Sequence, residues 1–326
     1  MFENTWWGTM TRDQRWPVVR VPAQDIDCSG PWLLWPHKND AVCRSLAHVG
    51  QLSPVLVDAS GPRPLLVDGA ARVAWLSEQG QDVYGLNIGS CSAQDKAMLY
   101  IHANIHRLSL DADKVRALRF FAQHDASHID AVMQVLGLVP HSRPAKQALA
   151  WLALPAHWDT YLAGGALPLV CADILRLWDA HDLQAVEAIF QTLSWSRGLI
   201  VQVLTWIHEV HVRDGCDVAQ VLARADVMDS VQANLSPKDA MARIAARVRA
   251  LRYPELTRLE QRATDTARVL AAGTRWRMVQ PDQFESDSVE LAARVRSPAE
   301  VQQAVAELVR MAEHADWAAF WPGKEA

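Results

Sequence analysis

The sequence predicts an α+β chain of several domains: a small α/β domain over 1–122, an all-helical domain over 123–233, and over 234–326 a helical region that ends in a ββα unit. Three observations predict it. Short apolar runs suited to buried strands alternate with helical periodicity in the first third of the chain. Helical periodicity alone continues from about Asp111 to Val227. An arginine-rich helical stretch then gives way to two further strand-like runs. Half of the 326 residues are apolar, enough to bury two or three cores.

Taken in order, Val55 to Asp58 and Leu65 to Val67 read as strands, and the second runs into Asp68-Gly69 and a helix over Ala70 to Gln79 that Gly80 closes. Asn104 and Arg107 fall three apart on the next predicted helix and so share a face. Asp111-Ala112-Asp113 opens a helix over Lys114 to His124, and a second covers Ile129 to Leu138, with Gly137 near its end. The turn Val139 to Pro144 leads into a helix over Ala145 to Leu152. Farther on, Ser236 as N-cap and Pro237 at the first position start a helix bearing Arg243, Arg247, Arg249 and Arg252. That helix breaks at Tyr253-Pro254 and resumes through Arg258, Arg262 and Arg268 to Gly273. Thr274 to Val279 and Val289 to Val295 form strands around a turn at Pro281-Asp282-Gln283-Phe284. Ser297-Pro298-Ala299-Glu300 makes a capping box for a helix to about His314, and Trp317, Phe320 and Trp321 suit a docking apolar face.

Several function classes find no support. No apolar run reaches membrane-spanning length, and Met1-Phe2-Glu3-Asn4 lacks a basic segment followed by an apolar one, so a cytoplasmic protein without a membrane partner is expected. The 5 cysteines are scattered without a Cys-x-x-Cys pair, which suggests neither a disulfide framework nor a zinc site. His102 and His106 are four apart, but no third ligand or carboxylate neighbours them, and no metal is expected. The net charge of −5 is uneven. Residues 238–277 carry 10 basic against 4 acidic side chains, whereas 121–237 carry 6 against 12. Attraction to a phosphate backbone is therefore concentrated in 238–277, where Arg243, Arg247 and Arg249 are the candidate sequence-independent contacts. The other reading of these stripes is a solvated face of a helical hairpin.

The most informative segments are Gly69-Ala70-Ala71-Arg72 and Asn104-Ile105-His106-Arg107. A glycine between strand and helix allows a ligand to approach the backbone, and the first N–H groups of the helix favour an anion there. Arg72, Asn104 and Arg107 add a guanidinium, an amide and a second guanidinium. The alternative is that these side chains only tie the corner together.

From about Leu46 to Phe121 the chain resembles the N-terminal domain of the ParB partition proteins. Gly50-Gln51-Leu52-Ser53-Pro54 matches that family's Gly-Gln-x-x-Pro element, Asp68-Gly69-Ala70-Ala71-Arg72 falls on its Gly-Glu-Arg-Arg motif, and Ala103-Asn104-Ile105-His106-Arg107 on its Glu-Asn-x-Gln-Arg motif. In the family the three motifs surround CTP and magnesium, and the nucleotide closes two protomers as a clamp over DNA. The resemblance thus implies a CTP-type site with Gln51, Gly69, Arg72, Asn104 and Arg107 as contacts. Ala70, Ala71 and Ala103 depart from the motifs, and without the glutamate at position 103 a magnesium anchor is lost, so weak CTP binding without hydrolysis is the expectation.

The run from Leu136 to Leu167 resembles the helix-turn-helix domain of ParB and of the related KorB repressors, which implies DNA-facing roles for Arg143, Lys146 and Gln147. A homodimer follows by analogy with the family's C-terminal domain. The expected function is a DNA-binding partition or transcription-regulatory protein with a degenerate nucleotide pocket, acting by binding. The alternative is an interaction scaffold that has lost DNA reading, to which the acidic middle region points; third is an active CTP hydrolase, against which the three alanines count.

Overall fold

Four short strands organise the N-terminal part of the chain: β1 (Val18–Pro22), β2 (Val55–Asp58), β3 (Leu65–Asp68) and β4 (Asp82–Asn87). The computed structural model describes residues 15–35, 40–107, 110–124, 126–233, 235–279 and 288–317, with only the backbone of Arg107 among them. The chain divides into two units, 1–208 and 209–326. In the first, the strands lie in the order β1-β4-β2-β3. β1 and β4 are antiparallel, β4 and β2 parallel, and β2 and β3 antiparallel, which makes a mixed sheet.

The two apolar runs that predict β2 and β3 supply the centre of this core: Val55, Val57, Leu66 and Val67 are fully buried. Helix α1 (Asp40–Val49) packs on α2 (Ala70–Glu78), and α2 and α3 (Ala93–Ala103) pack on the sheet, with Val73, Leu76, Met98 and Ile101 buried. Gly80 follows α2 with φ +62°, the left-handed conformation that ends a helix at little cost to glycine. Ser92 and Asp95 close a reciprocal capping box on α3. One turn in, Lys96 pairs with Asp58 at 2.7 Å, nearly out of solvent, and lies 4.7 Å from the centre of the Trp32 ring. Burial pushes the Asp58 carboxyl up, but hydrogen bonds from Lys96 and Ser60 outweigh it and hold the group below its ordinary range.

The predicted continuous helix carrying both Asn104 and Arg107 is not formed. α3 ends at Ala103, Asn104 is its C-cap, and Ile105–Arg107 is a separate 3-10 turn. The Asn104 side chain donates to the Tyr100 carbonyl at 2.9 Å, a local bond that competes with helical continuation.

From Asp111 the unit is helical: α4 (Asp111–His124), α5 (Ile129–Val135), α6 (Arg143–Trp151), α7 (Asp159–Ala163), α8 (Ala172–Leu175), α9 (Ala180–Thr192) and α10 (Arg197–Asp214), in which the division between units falls. Ser142 caps α6 by accepting from the Ala145 N–H, and Pro144 occupies its first turn, so the helix starts two residues earlier than the expected Ala145. Trp151 and Trp158 are fully buried against this helical core. At its centre Arg119 of α4 grips Asp159 with two bonds of 2.9 Å, and donates as well to the carbonyls of Trp151, Leu152 and Leu154. The Trp151 indole N–H completes the set on Asp159 at 3.0 Å.

The second unit contains α11 (Val218–Arg224), α12 (Val227–Gln232), α13 (Pro237–Arg252), α14 (Pro254–Leu270), α15 (Pro298–Ala312) and an antiparallel pair, β5 (Trp276–Val279) with β6 (Glu290–Ala293). The fold class is thus α+β. The Ser236 cap and the Pro254 break fall where local sequence puts them. At α15, Ser297 accepts from the Glu300 N–H, but the Glu300 carboxylate takes the N–H of Arg296, so the predicted box closes one residue early. Glu307 of α15 accepts the backbone N–H and guanidinium of Arg275, which fastens β5 to the helix. The expected turn at Pro281 to Phe284, and Phe320 and Trp321, lie outside the described residues. No helix among those residues is long and apolar enough to cross a membrane.

One pH dependence follows from the second unit. Arg249 donates twice to Glu260 at 2.7 Å, and these bonds, against a smaller effect of burial, hold the Glu260 carboxyl below its ordinary value of 4.5. A carboxyl depressed on folding stabilises the fold above its unfolded pKa, and that contribution is lost as pH falls through the folded value. Thermal melts from pH 7 towards pH 3 should therefore show an acid-dependent loss in the wild type that is smaller in Glu260→Gln; equal losses would remove this pair as a cause.

Candidate functional site

Residues from three segments distant in sequence line one cavity of about 570 Å³: Gly50, Leu52, Ser53, Pro54 and Leu56; Asp68 to Arg72; and Tyr100, Ala103, Asn104 and His106. Val42, Ser45 and Leu46 of α1 and Trp35 complete its wall. The Trp35 backbone N–H donates to the Tyr100 hydroxyl at 3.1 Å, and the two rings sit 5.3 Å apart, so the aromatic side of the cavity is held rigidly.

Gly69 turns β3 into α2. Its φ of +108° is hostile to any side chain, and a Cβ there would sit 2.5 Å from Val55 Cγ1 and 2.9 Å from the Arg72 guanidinium. No side chain caps the N-terminus of α2 at this corner. An anion is the ligand expected at this corner.

The polar groups are arranged differently from that expectation. Arg72 donates from Nη2 to Asp68 Oδ2 at 2.9 Å, and from Nη1 to the carbonyls of Ser53 and Pro54 at 3.1 and 2.8 Å. Asn104, buried, donates from Nδ2 to the other Asp68 oxygen at 2.7 Å. Asp68 thus joins the second and third motifs, and Arg72 joins the second to the first. The sequence shows Asp68 only as part of a motif; it ends β3, one residue before the Gly69 N-cap of α2, and the turn at Gly69 brings its carboxylate back to Arg72.

The remaining candidates divide. Gln51 does not line the cavity; its amide accepts from the Tyr84 N–H at 2.8 Å and donates to the Tyr84 carbonyl at 2.6 Å, bracing the loop before β2 against β4. Arg107 has its backbone in the 3-10 turn, and its side chain lies outside the described residues. His106 reaches the cavity wall, whereas burial of His102 on α3 pushes its imidazole below the ordinary value.

Of the residues expected to face DNA from α6, Arg143 is exposed, with Asp173 3.8 Å away, and Lys146 is exposed. Gln147 is buried and donates to Asp173 at 2.7 Å, so its amide is engaged inside the fold. In the second unit most of the arginine stripe is matched by acids. Arg247 binds the Asp226 carbonyl and the Ser230 hydroxyl, Arg249 binds Glu260, Arg252 binds Glu209, Arg258 binds Glu255 and Arg268 binds Asp265. Arg243 and Arg262 are exposed and form no ion pair with the described residues. Glu255, Glu260 and Asp265 are among the 4 acidic side chains of 238–277 itself, so its excess positive charge is only partly offset, by Asp226, Glu209 and Glu307 from outside the segment.

No protein-family model matches the chain, and no curated protein matches it. Among solved structures it is similar to the C-terminally truncated chromosome-partitioning protein ParB of Caulobacter crescentus, complexed to the centromeric parS site. Identity is 17%, the match covers 53% of this chain and 91% of that one, and the TM-score is 0.22.

Proposed function

We propose that this chain is a ParB-like, DNA-associated regulatory protein that acts by binding, with the 570 Å³ cavity as its small-ligand site. The convergence of the three motif segments on that one cavity, two of them joined through Asp68, carries the reading. A volume of this order lies within the range of about 300–1,000 Å³ typical of ligand pockets. In this reading the chain works as a homodimer in the cytoplasm, with segments 1–122, 123–233 and 234–326 serving ligand binding, DNA contact and association. A CTP-type ligand is held weakly, without magnesium and without turnover, because position 103 is alanine. Arg143 and Lys146 supply contacts on one DNA surface, and Arg243 and Arg262 non-specific phosphate contacts on another.

Binding to DNA fragments at two salt concentrations tests the second half of this reading. Replacing Arg243 and Arg262 with alanine should weaken binding across all sequences and lower the slope of log affinity against log salt by about 2. Replacing Arg143 and Lys146 should instead relax sequence preference. A second reading, an interaction scaffold of the same architecture, is favoured by the internal engagement of Gln147 and by the paired arginines. Absence of any DNA binding at low salt would decide for the scaffold.

A further inference from the structure

We propose that Asp68 is a built-in anion: its carboxylate occupies the donors a phosphate would use, and so excludes phosphate-bearing ligands from the polar end of the cavity. The inference rests on reading that cavity as the ligand site. Both Asp68 oxygens are engaged, one by Arg72 at 2.9 Å and the other by Asn104 at 2.7 Å. Both amide hydrogens of Asn104 are accounted for, by Asp68 and by the Tyr100 carbonyl. The second guanidinium nitrogen of Arg72 is taken by the carbonyls of Ser53 and Pro54. The side chains of Arg72 and Asp68 are only 20% and 13% exposed, so solvent screens them poorly.

A phosphate entering here would have two routes. It could displace Asp68 from Arg72 and Asn104, which leaves a carboxylate facing a phosphate at short range in a partly desolvated site. Alternatively it could bind without those donors and gain little. Asp68 is thus the residue that sets the charge of ligand the site accepts, and removing its charge should convert the site to an anion receptor. Charge-assisted donors held in place by the fold would then be available to an incoming phosphate.

The test uses the full chain with inorganic pyrophosphate, CTP and cytidine as probes, read by calorimetry. Asp68→Asn should bind pyrophosphate and CTP at least tenfold tighter than the wild type, and adding Arg72→Ala should abolish the gain. The melting temperature of Asp68→Asn should rise with pyrophosphate while that of the wild type stays put, since only a ligand bound to the folded state stabilises it. Asp68→Ser serves as the second variant if Asp68→Asn is unfolded at assay temperature. Wild-type binding of CTP as tight as that of a folded Asp68 variant would overturn the inference and leave the cavity as the ligand site. If no probe perturbs either protein, the inference falls together with the reading of the cavity.

Discussion

Arg119→Ala is expected to lower the stability of the chain by about 3–5 kcal/mol, the cost of leaving a buried charge without its partner. Arg119 and Asp159 are 14% and 12% exposed at their side chains, and the guanidinium also satisfies three carbonyls at the end of α6 and beyond. Removing it leaves Asp159, among the described residues, with the Trp151 indole N–H as its side-chain donor, and those carbonyls with fewer donors. Against a typical total of about 5–15 kcal/mol, this is a large fraction of what holds a domain folded. Arg268→Ala is the control: its ion pair with Asp265 is well exposed at both ends and should be worth about 0–1 kcal/mol. Denaturant melts of both variants would decide it, and equal effects would show that the buried network is not the stronger link.

Gly69→Ala should cost about 2–6 kcal/mol, combining roughly 1–3 for a strained backbone with a similar amount for overpacking. The two terms reinforce each other here because the neighbour that must yield is Val55, fully buried in the centre of the sheet. The same substitution at Gly80 meets open space and carries only the backbone term, so Gly80→Ala should destabilise less. A melt in which the two variants coincide would mean that the Val55 contact relaxes freely. Because Gly69 also sets the corner on which Asp68 and Arg72 meet, the variant should lose any ligand bound in the cavity.

Features governed by a few adjacent residues were legible from the chain itself. Ser236 with Pro237 starts a helix because the serine oxygen satisfies an orphan N–H and proline lacks one, and Pro254 ends that helix, where its ring cannot be accommodated in the interior, and opens the next. The strands at Val55 and Leu65 were equally readable, since runs of buried apolar residues that short have few other uses. The gathering of Gly69, Arg72 and Asn104 at one cavity followed from the motif segments.

What those side chains bind depended on partners far along the chain. Asn104 meets Asp68 across 36 positions, and Arg119 meets Asp159 across 40. No local pattern announces such pairings, because hydrogen bonds and ion pairs between distant residues form only after packing has brought their backbones together. Counting charges in 238–277 found a basic segment, yet Asp226 and Glu209 offset part of its excess from outside it. Composition and local sterics specified the elements and their ends, while the tertiary structure decided which polar groups remain free to meet a ligand.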